Sequence, residues 1–195
     1  MSTTDLLAKS LTSSLCIISV MGDHAGESES KIFRRKMVDI ATVGQTFWLA
    51  RSYKSRPDSV KKMNFGGEGY VIFIAPSEPG GAAPTKTSDR VTEYSVNRKK
   101  WIVLSPGLGP VTGKLGDTCF ALVFDKLELV SDCQIDIWTY AEFKSPDVPL
   151  KFKLGCSTIC AIRKDMSGNA ARMKRQFRSV VAVARLADPH CVWVR

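Results

Sequence analysis

The sequence predicts a mainly β fold, an antiparallel sheet or sandwich with one C-terminal basic amphipathic helix. The segment 118–143 is typical of two long strands, because a continuous apolar run up to Phe124 is followed, after a turn at Ser131-Asp132, by regular alternation over 133–143. Only the segment 167–186 shows a clear helical period. A chain of 195 residues suits one domain, so we expect a single domain over 1–195.

The predicted helix begins after Ser167, a residue type that favours the N-cap. Its apolar stripe consists of Ala170, Met173, Phe177, Val180, Val181 and Ala184. Its flanks carry Arg172, Lys174, Arg175 and Arg178. The stripe is expected to pack on the sheet, so that replacing Phe177 by Asp would unfold the protein. Alternatively, the stripe seats in the interface of an acidic membrane while the arginines meet headgroups.

The remaining chain is predicted to alternate between strands and loops. The polar residues 1–10 are expected to fray, with a single helical turn over 4–9 as the alternative. Two segments rich in Pro and Gly, 76–90 and 106–117, are expected to form surface loops. Further strands are predicted over 11–21, 45–54, 70–75, 91–96, 100–105, 150–154, 156–163 and 191–194.

The charge of the chain favours an anionic partner. The net charge is +9, and the stretch 151–195 holds ten basic residues against Asp165 and Asp188. Such a balance is typical of proteins that bind nucleic acid or an acidic membrane surface, and it does not distinguish the two. A basic surface that only keeps the protein in solution is the alternative.

Three basic clusters supply the candidate binding residues. Two are short runs, and the third lies on the predicted helix. The candidates are Arg34, Arg35, Lys36, Arg98, Lys99, Lys100, Arg172, Lys174, Arg175 and Arg178. Trp101 follows the second run directly, and cations beside an aromatic ring suit phosphate contact with base stacking. Trp101 could equally anchor a core strand.

No motif in the sequence indicates catalysis, a cofactor or a metal. The loop 107–114 lacks the spacing of a phosphate-binding loop, since Leu115 stands where the hydroxyl residue is needed. His24 and His190 lie beside no recognisable nucleophile. Cys156 and Cys160 would lie roughly 13 Å apart on a strand, too far for shared zinc ligation. We therefore expect a protein that is not an enzyme.

The cysteines and the hydropathy indicate a reducing compartment. Six cysteines lie mostly in apolar, strand-like runs, which suits buried thiols better than a disulfide framework. No apolar run is long enough to span a bilayer, and the N-terminus is a poor signal peptide because of Asp5. A cytosolic location is expected.

In size, charge and the order of strands before a basic helix at 168–186, the chain resembles the small matrix proteins of non-segmented negative-strand RNA viruses, the plant rhabdovirus kind included. The late-budding motifs Pro-Pro-x-Tyr and Pro-Thr-Ala-Pro and a basic N-terminal tail are absent. The resemblance implies a self-associating, non-enzymatic structural protein of the virion and host cytoplasm that links ribonucleoprotein to an acidic membrane surface. A movement or coat protein that binds single-stranded nucleic acid is the alternative.

Overall fold

The computed structural model describes residues 5–22, 28–50, 68–76, 89–90, 93–96, 99–102, 110–111, 119–143, 157–162 and 175–194. Most of them belong to β-strands, which confirms the predicted mainly β character. The helices are α1 (Asp5–Thr12) and α2 (Glu29–Val43). The strands are β1 (Leu15–Val20), β2 (Thr46–Ala50), β3 (Tyr70–Ile74), β4 (Asp89–Arg90), β5 (Glu93–Val96), β6 (Lys99–Ile102), β7 (Pro110–Val111), β8 (Cys119–Asp136), β9 (Tyr140–Glu142), β10 (Ser157–Ile162) and β11 (Phe177–Val194).

One mixed sheet dominates the architecture. Its strands follow the order β2, β8, β11, β3, β1, β10, β9. β1 and β3 pair in parallel, and the other neighbours on this path are antiparallel. β5 joins the far end of β11 and pairs with β6, while β4 and β7 form a separate small ribbon. The sheet therefore has its longest strands, β8 and β11, next to each other.

The sheet carries a hydrophobic core on each face. Along β3, Tyr70, Ile72 and Ile74 enter one core, whereas Val71 and Phe73 enter the other. All five residues are buried, as expected for a strand covered on both faces. The core that contains Val71 and Phe73 includes Ile32 and Phe33 of α2, and the core that contains Tyr70, Ile72 and Ile74 includes Leu6 and Leu7 of α1. Each helix therefore covers one face of the sheet.

The segment 118–143 is not a hairpin, contrary to the prediction. Both predicted arms meet in the single strand β8 (Cys119–Asp136), which pairs with β11 over most of its length. The register steps from Leu129–Ala182 to Cys133–Val180, so three residues of β8 face one residue of β11. Asp132 has a φ of 56°. Ser131-Asp132 thus forms a bulge and does not reverse the chain. The residues were predicted as a turn because a turn and a bulge can both use a left-handed backbone.

A 3-10 turn, Ile137–Thr139, follows β8 and interrupts the predicted alternation at Trp138. The Asp136 carboxylate accepts hydrogen bonds from the backbone N–H of Trp138 at 3.1 Å and of Gln176 at 3.2 Å. Ile137 and Tyr140 are buried in the core beneath α1. The turn therefore lets the chain pass from β8 to β9, which lie near opposite ends of the strand order.

The predicted basic helix over 167–186 is wrong for the part that the structure describes. Residues from Phe177 onward form β11, and residues 167–174 lie outside the described residues. Ala182 and Ala184 pack into the core beneath α2, whereas Val180 and Val183 pack into the core beneath α1. A strand buried on both faces is apolar at nearly every position. Some of these apolar residues therefore recur three or four positions apart, which is also the spacing of a helix face.

Asp188-Pro189 interrupts β11 without ending it. The register passes from Leu186–Phe124 to Cys191–Leu122, and His190 has a φ of 55°. The extra residues form an irregular bulge, after which the strand resumes its pairing with β8. The predicted last strand over 191–194 is thus the continuation of β11.

The two helices of the structure were not predicted as such. Residues 5–10, expected to be frayed or to form one turn, belong to α1, where Leu6 and Leu7 are 5% and 6% exposed. In the described ranges, neither helix has the length and apolar character needed to cross a bilayer. The predicted strand over 150–154 and most of both predicted loops lie outside the described residues.

Candidate functional site

Helix α2 is held on the sheet by its inner face. Gly44 ends it with a φ of 81°, and the Gly44 N–H donates to the Ile40 carbonyl at 2.8 Å. Phe33 is fully buried, stacks on Trp48 with ring centroids 5.6 Å apart, and meets Phe73 edge-on at 5.1 Å. These contacts fix which side of α2 faces the sheet and therefore which side faces outward.

Lys36 belongs to this inner face, which corrects its assignment to an exposed basic patch. It is 2% exposed, and its ammonium donates to the backbone carbonyl of Phe47. The ammonium lies 4.6 Å from the Phe47 ring centroid and 5.4 Å from that of Trp48. A cation at this distance from aromatic faces is stabilised by their quadrupoles. In the folded protein Lys36 ties α2 to β2 and does not meet an external partner.

Asp39 lies one turn further along the same face and is also buried. It is 4% exposed, and its carboxylate accepts a hydrogen bond from the Thr46 hydroxyl at 3.1 Å. Thr46 begins β2. Lys36 and Asp39 therefore both connect the inner face of α2 to β2 through polar contacts.

The opposite side of α2 is exposed and combines cations with apolar side chains. At 100° per residue, one arc of the helix collects residues that all face solvent. We call the outer face of α2 the set Lys31, Arg34, Met37, Val38, Ala41 and Thr42. Val38 is 62% exposed and Met37 is 38% exposed. The cations occupy the N-terminal half of this face, and the larger apolar side chains follow directly.

Helix stability does not explain this composition. Lys31 lies in the first turn of α2, where the helix dipole favours anionic side chains and disfavours cations. Glu29 is the acidic residue in that turn. Val38 and Thr42 are exposed β-branched residues, each costing up to about 0.7 kcal/mol of helix propensity relative to Ala. The outer face of α2 therefore carries residues that the stability of the helix itself does not require.

The other predicted binding residues are spread over several elements. Arg34 is exposed and Arg35 is half-buried at the edge of the outer face. Arg175 precedes β11 with 79% of its side chain exposed, its Nε 4.0 Å from the Asp136 carboxylate, and Arg178 is half-buried on β11. Lys99 and Lys100 lie on β6, but the structure does not describe the surroundings of their side chains. Arg98, Arg172 and Lys174 lie outside the described residues. The described cations therefore do not share one helix.

A second polar cluster joins three strands at the end of β3. The Arg185 guanidinium donates to both carboxylate oxygens of Asp125 at 2.8 Å and to Glu68 at 3.0 Å. The Tyr70 hydroxyl donates to the other oxygen of Glu68. Bidentate pairing of this kind is the strong form of ion pair. The cluster stabilises the junction of β3, β11 and β8.

The ionisation of this cluster follows from its geometry. The Tyr70 hydrogen bond and the Arg185 hydrogen bond lower the pKa of Glu68. Burial, together with the hydrogen bond to Glu68, raises the pKa of Tyr70 to about 12. Hydrogen bonding to Asp125 raises the pKa of Arg185. One guanidinium thus lies between two carboxylates, each of which it pairs with, and the cluster stabilises the structure.

Metal binding has no support among the described side chains. Within the described ranges, no three or more His, Cys, Asp or Glu residues are grouped so that they could hold a metal ion. Cys156, one of the two cysteines weighed for zinc, lies outside those ranges, and Cys160 is buried in the core beneath α1.

Sequence reasoning missed the outer face because it missed α2. The helix does carry a signal, with Ser28 before its first turn, Gly44 after its last, and Ile32, Phe33 and Ile40 at helical spacing. Lys36 and Asp39 occupy the remaining inner positions. Two charged residues on the buried side hide the apolar period, so 31–43 shows only a basic run.

No known protein family, curated protein or solved structure matches this chain. The functional interpretation therefore depends on the residues and geometry described above.

Proposed function

We propose that this protein is a non-enzymatic, self-associating structural protein of the viral matrix type, which links a ribonucleoprotein to an acidic membrane surface. The observation that carries the proposal is the outer face of α2, where exposed cations adjoin exposed apolar side chains. Anionic headgroups beside acyl chains present the complementary arrangement. The location that follows is the virion and host cytoplasm, peripheral to the membrane.

The strength of the contact can be bounded from the residues present. A cation near an acidic leaflet contributes about 1 kcal/mol, so Lys31 and Arg34 together contribute about 2 kcal/mol. Met37 and Val38 add part of the transfer energy of a buried apolar side chain, on the order of 1 kcal/mol each. One protomer would therefore bind only weakly, with a dissociation constant on the order of millimolar.

Weak contact per protomer makes self-association part of the same proposal. Copies held together bind a surface many times over, and the effective concentration of the later contacts raises avidity strongly. β2 and β9 end the strand order of the described sheet, and an edge strand can pair with another copy. Sheet edges thus offer a route to a lattice whose outer faces of α2 meet one membrane.

The ribonucleoprotein contact is assigned to the basic residues away from α2. These are Arg98, Lys99, Lys100, Arg172, Lys174, Arg175 and Arg178. Arg175 is largely exposed, which suits a phosphate contact. Separate cations for membrane and nucleic acid would let one protomer bind both partners together.

A single-stranded nucleic-acid-binding movement or coat protein is the second candidate. The observation that favours it is the strand β6, on which Lys99 and Lys100 directly precede Trp101. Basic side chains beside an aromatic ring can hold phosphates and stack a base. In that case the nucleic acid is the main anionic partner, and membrane contact is secondary.

Binding measurements on the whole protein separate the two candidates. We expect co-sedimentation with phosphatidylserine vesicles, little binding to phosphatidylcholine vesicles, and a weak, shallow salt dependence with single-stranded RNA. Tight RNA binding that falls steeply with salt, without vesicle binding, would favour the movement or coat role. A protein that stays monomeric across a concentration series in analytical ultracentrifugation would contradict both.

A further inference from the structure

Two cysteines lie directly opposite each other in neighbouring strands. Cys16 of β1 and Cys160 of β10 are register partners in an antiparallel pair. Both are 0% exposed and belong to the same core, beneath α1. Both are thiols in the structure, with no disulfide between them.

The register places this pair within reach of a disulfide. Residues directly opposite in antiparallel strands have Cα atoms about 4.5–5.5 Å apart. A disulfide joins Cα atoms about 4.4–6.8 Å apart. Because both side chains enter the same core, they leave the sheet on the same side. The register therefore provides the strand spacing and the shared side of the sheet that a disulfide requires.

We propose that Cys16 and Cys160 are a redox-sensitive thiol pair that closes into a cross-strand disulfide when the protein meets an oxidising disulfide such as oxidised glutathione. The bond would join β1, near the start of the chain, to β10, near its end. Cys133 packs against the same core and is half-buried, so it is the described thiol that could compete.

Burial controls the rate of this reaction. Desolvation raises the pKa of Cys16 to about 12, so the folded protein holds little thiolate there. β10 is the second strand from its end of the sheet and pairs with β9 over only three residue pairs. Local opening of β9 and β10 would expose Cys160 before Cys16, which lies between β10 and β3.

The reaction proceeds by two exchanges. The Cys160 thiolate attacks one sulfur of oxidised glutathione, forming a mixed disulfide and releasing one glutathione thiolate. The Cys16 thiolate then attacks the Cys160 sulfur, forming the cross-strand disulfide and releasing the second glutathione. Two protein thiols are oxidised and one glutathione disulfide is reduced to two thiols, with both protons passing to solvent or to the released thiolates.

The consequence is a more stable protein under oxidising conditions. A disulfide between these strands closes most of the chain into one loop, which restricts the unfolded state. The oxidised protein should therefore melt at a higher temperature than the reduced protein, and a reductant should reverse the increase. Oxidation should also accelerate in low urea, which promotes opening.

Peptide mapping of the full-length protein after incubation with oxidised glutathione tests the proposal. We expect a linked peptide that contains Cys16 and Cys160, a higher melting temperature, and loss of both in Cys16→Ala but not in Cys133→Ala. If Cys16 and Cys160 stay reduced in the folded wild-type protein, or link instead to other cysteines, the proposal is wrong. Because the wild-type map decides alone, an unfolded variant does not obscure the result.

Discussion

At the scale of single residues, Lys36 decides how the basic run on α2 is interpreted. Three consecutive cations look alike in sequence, yet Arg34 is exposed, Arg35 is half-buried and Lys36 is 2% exposed. Their side chains point in different directions because successive residues on a helix are rotated by 100° about its axis. Only the exposed member of the run lies fully on the outer face, where a partner can reach it.

Substitution of Lys36 should affect stability, with membrane binding unchanged in the folded protein. Lys36→Glu places an anion beside the Phe47 carbonyl and the aromatic ring faces, so we expect a loss of about 3–5 kcal/mol. Lys36→Met keeps the apolar stem and loses mainly the hydrogen bond, at about 1 kcal/mol. Urea unfolding measures both. Unchanged stability in Lys36→Glu would show that the ammonium is not buried.

The cluster of Arg185, Glu68 and Tyr70 should give stability a dependence on pH at both ends. A lowered folded pKa for Glu68 means that its contribution is present above the unfolded value of about 4.3 and is lost as the pH falls below it. A folded pKa of about 12 for Tyr70 means that its contribution is present below about pH 10 and is lost as the pH rises toward 12.

Two variants separate these contributions. Glu68→Gln should flatten the acid limb of a plot of unfolding free energy against pH, and Tyr70→Phe should reduce the slope of the alkaline limb. The alkaline limb should keep some slope in Tyr70→Phe, because burial also raises the pKa of Tyr140. The wild-type curve should lie above the Glu68→Gln curve near pH 7 and approach it as Glu68 is protonated, so curves that stay parallel from pH 7 to low pH would contradict the arrangement described for Glu68.

At the scale of elements, β11 replaces the described part of the predicted basic helix, and this reverses the expectation for Phe177. On a helix Phe177 would lie on the stripe that packs against the sheet. On the strand it is 53% exposed, whereas Val183 is fully buried. We expect Phe177→Asp to change the unfolding free energy by roughly 0.5 kcal/mol or less, as for other surface substitutions.

Val183→Asp is the matched variant in the same strand. It buries an unpaired carboxylate, which should cost several kcal/mol and leave the protein largely unfolded. Circular dichroism and urea unfolding of the two variants test the assignment together. A folded Val183→Asp protein alongside an unfolded Phe177→Asp protein would restore the helix over this segment.

Local patterns predicted some elements and misled about others for physical reasons. β3 was predictable because all five of its residues are apolar and buried. β11 was not, because burial on both faces removes the two-residue period and leaves spacings that a helix also shows. α2 was not, because Lys36 and Asp39 occupy buried positions where the period requires apolar side chains.

At the scale of the whole molecule, the mainly β character followed from composition and alternation, but the pairing of strands did not. The central pair joins β8 to β11, and β1 pairs with β10 near the other end of the chain. No turn between these partners fixes such long-range pairing, so no short stretch of sequence encodes it. The outer face of α2 was not predictable from the sequence either, because which side of α2 faces outward depends on which side packs on the sheet.

Among the residues that the structure describes, the outer face of α2 combines basic and apolar side chains and is the proposed membrane contact. The proposal depends on where charged and apolar side chains lie on this face, and the net charge of +9 alone would not distinguish it from other basic surfaces. Two pairs of variants isolate that dependence. Arg34→Glu is matched by Lys126→Glu, an exposed residue on β8, and Val38→Asp is matched by Leu129→Asp, which is 41% exposed on the same strand.

Co-sedimentation of these four variants with phosphatidylserine vesicles at physiological salt is the most direct test, with urea unfolding to confirm that each is folded. Arg34→Glu should lose about 2 kcal/mol of binding, roughly thirtyfold, because an attraction is replaced by a repulsion. Val38→Asp should also bind the vesicles far less tightly. Lys126→Glu and Leu129→Asp should keep a dissociation constant within about twofold of that of the wild type. Equal losses in Arg34→Glu and Lys126→Glu, or none in Arg34→Glu and Val38→Asp, would contradict the assignment of the outer face of α2 to membrane binding.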